Sequence, residues 1–420
     1  MNKSIKDYLE IDKKGIQPNF FPNEAFCYYS LPDFDLNGKP SIALGREIES
    51  NKFLIEAGSL LISKLNPRIK RVWLANHEDE KRRVSSTEFV VLRPKETADS
   101  TYFFYYLQQD NLYKQLESNA IGSTNSHVRF KPEFLTTIKV DIPKLRVQQK
   151  IAKILRKVDG QIEKTEAIIA KYKAIKQGLM QDLFTRGIDV ATGKLRPRYQ
   201  DAPELYKPSP LGMIPKEWDV DILANQCFRS GEYGINAASV PFSHSLPTYL
   251  RITDITDEGK FAKEDKRSVN SPESSKYLLS IGDIVFARTG ATVGKTYLYN
   301  PADGPLVFAG FLIKFSPDPA LLLSSFLKYY TETPAYLNWV QVMSMRSGQP
   351  GINGNEYGKM LLPLPDTDEQ KAISKTLNAN TEIIDKETTN LKKLQQLKKG
   401  LMSDLLSGKV RVQVDEEAIC

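Results

Sequence analysis

The chain repeats itself. The segment KQGLMQDL (Lys176 to Leu183) returns as KKGLMSDL (Lys398 to Leu405), 222 residues later. The same register pairs Pro143 with Pro365, Gln148 with Gln370, Ile151 with Ile373, Leu155 with Leu377, Ile162 with Ile384 and Lys171 with Lys393. An ungapped match from Pro143 to Leu183 marks a duplication, so the fold has to be built twice from one kind of unit. The chain has 420 residues, and at about 150 residues per domain this leaves room for two globules and the elements that join them.

The repeated segments carry their own structural code. Ile151, Leu155, Val158, Ile162, Ile169, Tyr172, Leu179 and Leu183 fall at spacings of three and four, interrupted by Thr165 and Lys176. Ile373, Leu377, Ile384, Leu391, Leu394, Leu401 and Leu405 repeat the pattern, with Asn380, Glu387 and Lys398 in the same frame. This is a heptad seam, and no proline interrupts either run. Each run predicts a helix of roughly 38 residues, about 57 Å long at 1.5 Å per residue. Neither helix can bury its stripe alone, so the two are expected to pack on each other. Between them, Gly187 to Gly212 is rich in Pro, Gly and Thr and reads as an extended connector rather than a folded element.

The regions ahead of the helices are more distant copies. EAGSLLISKL (Glu56 to Leu65) matches SIGDIVFARTG (Ser280 to Gly290) through Gly58 with Gly282, Leu60 with Ile284 and Lys64 with Arg288. FVVLRP (Phe89 to Pro94) parallels LIKFSP (Leu312 to Pro317), and YFFYYL (Tyr102 to Leu107) parallels SFLKYY (Ser325 to Tyr330). Short β-branched and aromatic runs bounded by Gly, Pro, Asn and Asp predict α+β globules dominated by short strands. The order is globule, helix, globule, helix.

Composition narrows the function classes. The formal net charge of +7 permits a polyanionic partner without requiring one. No apolar run approaches the 18 or so residues of a membrane span, and the polar start MNKSIKDYLE lacks the core of a signal peptide, so a cytoplasmic protein is expected. Cys27, Cys227 and Cys420 are too far apart for a metal knuckle, and their odd number argues against a disulfide framework. His77, His127 and His244 share no ligand spacing, so no metal is expected.

With GLMQDLF, GLMSDLL, LGMIPKEWDV (Leu211 to Val220), YLRITDI (Tyr249 to Ile255) and GDIVFARTGATVGK (Gly282 to Lys295) set in this duplicated layout, the chain resembles the specificity subunit of type I restriction-modification systems over essentially its whole length. The resemblance implies an α+β, pseudo-twofold tandem repeat: two similar target-recognition domains joined by two long helices that form an antiparallel coiled coil. The expected boundaries are residues 1–143 and 212–365 for the recognition domains, 144–187 and 366–409 for the spacer helices, 188–211 for the linker and 410–420 for a tail. It further implies a non-catalytic subunit that lends sequence specificity for double-stranded DNA. Its partners would be methyltransferase subunits, two in number and using S-adenosylmethionine, and a motor-nuclease subunit using ATP and magnesium. No cofactor is expected in this chain.

Physical reasoning leads to the same arrangement. Antiparallel helices would carry the globules at opposite ends, so one chain mimics a DNA-binding dimer, whose half-sites lie about 34 Å apart. Residues 144–187 hold 11 Lys or Arg against 4 Asp or Glu, whereas 366–409 hold 8 against 7. The first helix therefore has a face suited to phosphates or to an acidic partner surface, although a solvated lysine face has the same composition.

Base edges are read by side chains that make paired hydrogen bonds. After the Gly-initiated strand, the first globule offers Lys64, Asn66, Arg68, Lys70 and Arg71, and the second offers Arg288, Thr289, Thr292 and Lys295. Polar loops ahead of each helix, GSTNSHVR and MRSGQPGINGN, add Asn125 and Arg129, and Arg346, Ser347, Gln349 and Asn353. The segment YLRITDI adds Arg251 and Thr253.

Catalytic readings fare worse. GATVGKT (Gly290 to Thr296) is one residue too short for a phosphate-binding loop, and its counterpart SKLNPRI has no glycine. Asp366, Glu369 and Lys371 look like a nuclease metal set. They crowd a helix start, however, where acidic groups favour the helix dipole, and the first copy reads Lys144, Val147 and Gln149 there. A methyltransferase would need an (N/D)PP(Y/F) tetrapeptide, which is absent. A scaffold whose globules bind peptides is the alternative of a different class, and salt-dependent affinity for duplex DNA separates the two.

Overall fold

The computed structural model describes residues 3–75, 81–122, 127–229, 231–345 and 350–413. The chain divides into two compact units, Met1–Glu166 with Thr389–Cys420, and Ala167–Thr388.

Both units contain the same four-stranded antiparallel sheet. In the first its order is Leu9–Asp12, Phe89–Pro94, Leu60–Ser63, Val72–Leu74; in the second it is Glu232–Tyr233, Leu312–Phe315, Ile284–Ala287, Thr296–Leu298. The strand that opens with the matched glycine is covered on both faces, which is why it reads as a continuous apolar run rather than an alternating one. Its side chains still alternate. Leu60 and Ile62 enter a core shared with the helices, while Leu61 packs with Trp73, Phe89 and Cys27. Ile284 and Phe286 likewise face the helices, whereas Val285 and Ala287 join Leu250, Leu306 and Phe308. Each unit has a second sheet with one parallel pair, Cys27 to Tyr29 beside Arg83 to Ser85 and Thr248 to Leu250 beside Leu306 to Phe308, and the second unit adds the antiparallel pair Asp219–Ile222 with Leu361–Leu364.

The long helices span Leu145–Thr185 and Thr367–Leu406. In the first unit, Ile151, Ala152 and Leu155 share a core with Leu401, Leu405 and Leu406. In the second, Leu179, Met180, Leu183 and Phe184 share one with Ile373 and Leu377. The beginning of each helix meets the end of the other, so they run antiparallel as a coiled coil. Every seam residue named above is buried or half-buried; Thr165 is buried, and Lys176, Asn380, Glu387 and Lys398 are half-buried.

Two of the polar seam residues, Lys398 and Lys176, tie helix to globule. Lys398 lies 2.7 Å from Asp159 and 5.6 Å from the Tyr105 ring centroid; its equivalent Lys176 lies 2.7 Å from Glu332 and 5.1 Å from the Tyr329 centroid. The Tyr105 hydroxyl donates to Asp159 at 2.6 Å, and that of Tyr329 to Asn378 at 2.6 Å.

Two local expectations change. The helix Ser100–Tyr106 matches Ser324–Tyr330, so Tyr102 corresponds to Phe326 and Tyr105 to Tyr329, one residue away from the match made on sequence. The turn before the helix is one residue longer in the second copy. The segment between the long helices is also folded, with hairpins at Ile188–Asp189 with Lys194–Leu195 and at Tyr206–Ser209 with Gly212–Pro215. What holds it is Glu369, buried at the start of the second helix. Its carboxylate accepts from Ile188 N at 2.7 Å, from both Arg196 Nη atoms at 2.5 and 2.9 Å, and from Trp218 Nε1 at 3.0 Å. Gly187 sits at φ 65°, and a Cβ there would come within 2.0 Å of Glu369 Oε1, so only glycine fits.

Candidate nucleic-acid interface

In each unit the helix-facing strand runs into a loop that is stitched, backbone to backbone, to the loop ahead of the long helix. In the first unit Asn66 N donates to Val128 O at 2.8 Å and Phe130 N to Lys64 O at 3.3 Å; in the second Gly290 N donates to Pro350 O at 3.0 Å and Ile352 N to Arg288 O at 2.9 Å. The bridge Leu65–Arg129 has its counterpart in Thr289–Gly351. The sequence candidates on these two loops are thus gathered onto one platform in each unit, with Lys64 and Arg288 at equivalent points. Asn125, Arg346, Ser347 and Gln349 lie outside the described residues.

Most platform cations are already committed. Arg71 is buried and bidentate to Asp35 at 2.7 and 2.8 Å, holding that carboxyl below its ordinary pKa through the hydrogen bonds. Arg129 is bidentate to Glu88 at 2.9 and 3.0 Å. Arg68 reaches Glu117 at 2.8 Å, and Lys70 pairs with Asp110. In the second unit Arg251 engages Asp254 and Asp265, and Lys295 lies 2.6 Å from Asp257. Thr253 is exposed. Thr292 donates to Thr289 O at 3.3 Å, and Asn353 Oδ1 accepts from Glu356 N at 3.0 Å, capping the short helix Gly354–Gly358. Among the described residues, neither Lys64 nor Arg288 makes a side-chain hydrogen bond or ion pair.

Two features had no sequence signal. Arg288 lies between aromatic rings, its guanidinium carbon 5.0 Å from the Tyr233 centroid and 5.9 Å from that of Phe311. Tyr233 is 55 residues away and reaches the site only because Glu232–Tyr233 pairs with Leu312–Phe315. Phe311 is adjacent in the sheet, and Arg288 N donates to its carbonyl at 3.1 Å. Asn66 holds a left-handed φ of 47°, with its Oδ1 buried and unpartnered.

The groups considered for catalysis have structural duties. Gly290–Thr292 is a single 3-10 turn, with Lys295 drawn to Asp257, and Glu369 is occupied as described above. Burial pushes the Cys227 thiol up to about 12, away from reactivity. Among the described residues no cluster of three or more His, Cys, Asp or Glu forms a metal site, and no helix is long and apolar enough to cross a membrane.

Two platforms of one design, each on its own α+β unit and each rooted in an antiparallel helix pair, define a tandem recognition protein. The family model for the type I restriction modification DNA specificity domain matches residues 1–173 and 253–398. The chain belongs to this family of DNA specificity subunits. It is 26% identical over 343 residues to the type I restriction enzyme MjaVIII specificity subunit of Methanocaldococcus jannaschii, covering 79% of this chain and 75% of that one. The putative MjaX specificity subunit of the same organism is 23% identical, covering 98% and 93%. The fold matches the crystal structure of a type I restriction-modification S subunit from M. genitalium at TM-score 0.61 and 14% identity, over 97% and 96% of the chains.

Proposed function

We propose that this chain reads a bipartite DNA site for a type I restriction-modification complex, each unit recognising one half. The observation that carries the reading is the equivalence of Lys64 and Arg288. Among the described residues, carboxylates pair with Arg68, Lys70, Arg71, Arg129, Arg251 and Lys295, yet Lys64 and Arg288, at the same point of both platforms, are left unpaired. A duplicated platform that keeps an unpaired cation at the same point of each copy suits a ligand that is polyanionic and divided into two halves.

The coiled coil then fixes the separation of the half-sites and offers docking faces for two methyltransferase subunits. Those subunits would supply the methyl chemistry with S-adenosylmethionine, and a motor-nuclease subunit would use ATP and magnesium. The exposed Lys150, Lys153, Lys157 and Lys164 of the first helix supply a basic face for phosphates or an acidic partner.

The test is methylation profiling of DNA exposed to the assembled complex. Lys64→Ala should relax positions in one half-site only, and exchange of residues 212–365 for those of a relative should rewrite only the other. Simultaneous change in both halves would overturn the modular reading.

A further inference from the structure

Arg288 stands at the end of the helix-facing strand of the second unit, with the Tyr233 and Phe311 rings beside it. We propose that it reads a guanine in the second half-site, with Nη1 and Nη2 donating end-on to N7 and O6. This rests on the half-site reading and deepens it.

Three observations combine. First, among the described residues the guanidinium, half-buried, has no hydrogen-bond acceptor or carboxylate partner. Second, it lies over both the Tyr233 and Phe311 rings; the Tyr233 ring is tethered by its hydroxyl, which accepts from Gly354 N at 2.9 Å, and the Phe311 backbone is tied to that of Arg288, whose N donates to Phe311 O. A stacked guanidinium gives up little conformational freedom on binding. Third, Nε is buried without a partner. The side-on geometry that uses Nε is therefore closed, leaving the terminal fork.

A fork of two donors at fixed spacing matches the two acceptors of guanine in the major groove, whereas adenine places a donor against one of them. A phosphate also offers two acceptors, but the flanks argue for a base. Tyr233 and Phe311 remain 43% and 54% exposed, an apolar border suited to base edges and a thymine methyl rather than to a hydrated backbone. At the equivalent point of the first unit stands Lys64, a point charge without a fork. The two half-sites are thus read by unlike chemistry from one scaffold.

The experiment selects bound sequences from random duplexes, using the full chain assembled with its methyltransferase subunits. Arg288→Ala removes the fork and every donor with it. It should lower the preference for guanine at one position of one half-site by about 5- to 140-fold, with all other positions intact. The double variant Tyr233→Ala with Phe311→Ala should weaken the same position while leaving Arg288 in place. Guanine preference surviving in Arg288→Ala, or a uniform loss across all sequences in that variant, would overturn the assignment in favour of phosphate. The half-site reading would then still stand if Lys64→Ala altered the other half. If neither Arg288→Ala nor Lys64→Ala changed any position, with melting temperatures unaltered, both ideas would fall.

Discussion

Gln148 and Gln370 make the same three hydrogen bonds in the two units. Gln148 Oε1 accepts from Asp99 N at 2.9 Å while its Nε2 donates to Thr97 O and Pro143 O at 3.0 and 2.9 Å. Gln370 Oε1 accepts from Leu323 N at 2.8 Å while Nε2 donates to Leu321 O and Pro365 O at 2.9 and 3.0 Å. Both side chains are fully buried. Each bolts the first turn of a long helix to the chain entering the domain helix beside it.

Replacing either glutamine by leucine strands one amide and two carbonyls, which should cost its own unit about 3 kcal/mol. In Gln148→Leu the Asp99 amide should lose protection from hydrogen exchange while the Leu323 amide keeps it, and Gln370→Leu should reverse the pattern. Equal loss at both amides in either variant would contradict local bolting.

Asn66 and Gly290, at φ 47° and 70°, turn the chain at equivalent points of the platforms. Asparagine and glycine both tolerate the left-handed region, while a β-branched residue does not. Gly290→Asn should therefore fold with little loss, whereas Gly290→Val should cost about 1–2 kcal/mol. Thermal melts of the two variants compare them, and equal stability would remove the backbone argument.

Glu332 lies between Lys176 and Lys328, 2.7 Å from each. Burial by itself would raise its pKa, but the two ammonium groups hold it below the ordinary carboxylate value of 4.5. A depressed folded value means stability present above about pH 4.5 and lost as pH falls through the folded pKa. Glu332→Gln should cost about 3 kcal/mol at neutral pH, and the acid-dependent part of the melting curve should flatten. An unchanged dependence of melting temperature on pH between 3 and 5 (about the carboxylate range) would show that the cluster is not coupled to folding.

Much of the architecture was legible because heptad seams and duplicated segments are local patterns. The seam fixed which faces of Leu145–Thr185 and Thr367–Leu406 are covered, and Gly58 with Gly282 located the central strand of each sheet. The connector misled because its Pro and Gly content says nothing of Glu369, 173 residues beyond Arg196, which holds it in place. The interface was half legible. Sequence finds Arg71, Arg129 and Arg251, but each meets a carboxylate that only the fold brings near, or that turns back from a few residues away as Asp254 does. Tyr233 and Phe311 were missed because cross-strand pairing, not spacing, sets them around Arg288.

The proposed role of the coil as a ruler is tested by lengthening it. Counting back along the antiparallel pair from Leu183 and Ile373, which share a core, Ala170 falls opposite Lys386. Four residues inserted after each would lengthen both helices by about 6 Å, close to two base pairs, and 3.6 residues per turn keeps the seam nearly in phase. The half-sites should stay the same while the spacer between them grows by about two base pairs. Methylation profiling of the insertion variant reads this directly, once assembly of the complex has been verified. An assembled, active complex with an unchanged spacer would assign the distance to the partner subunits instead of these helices.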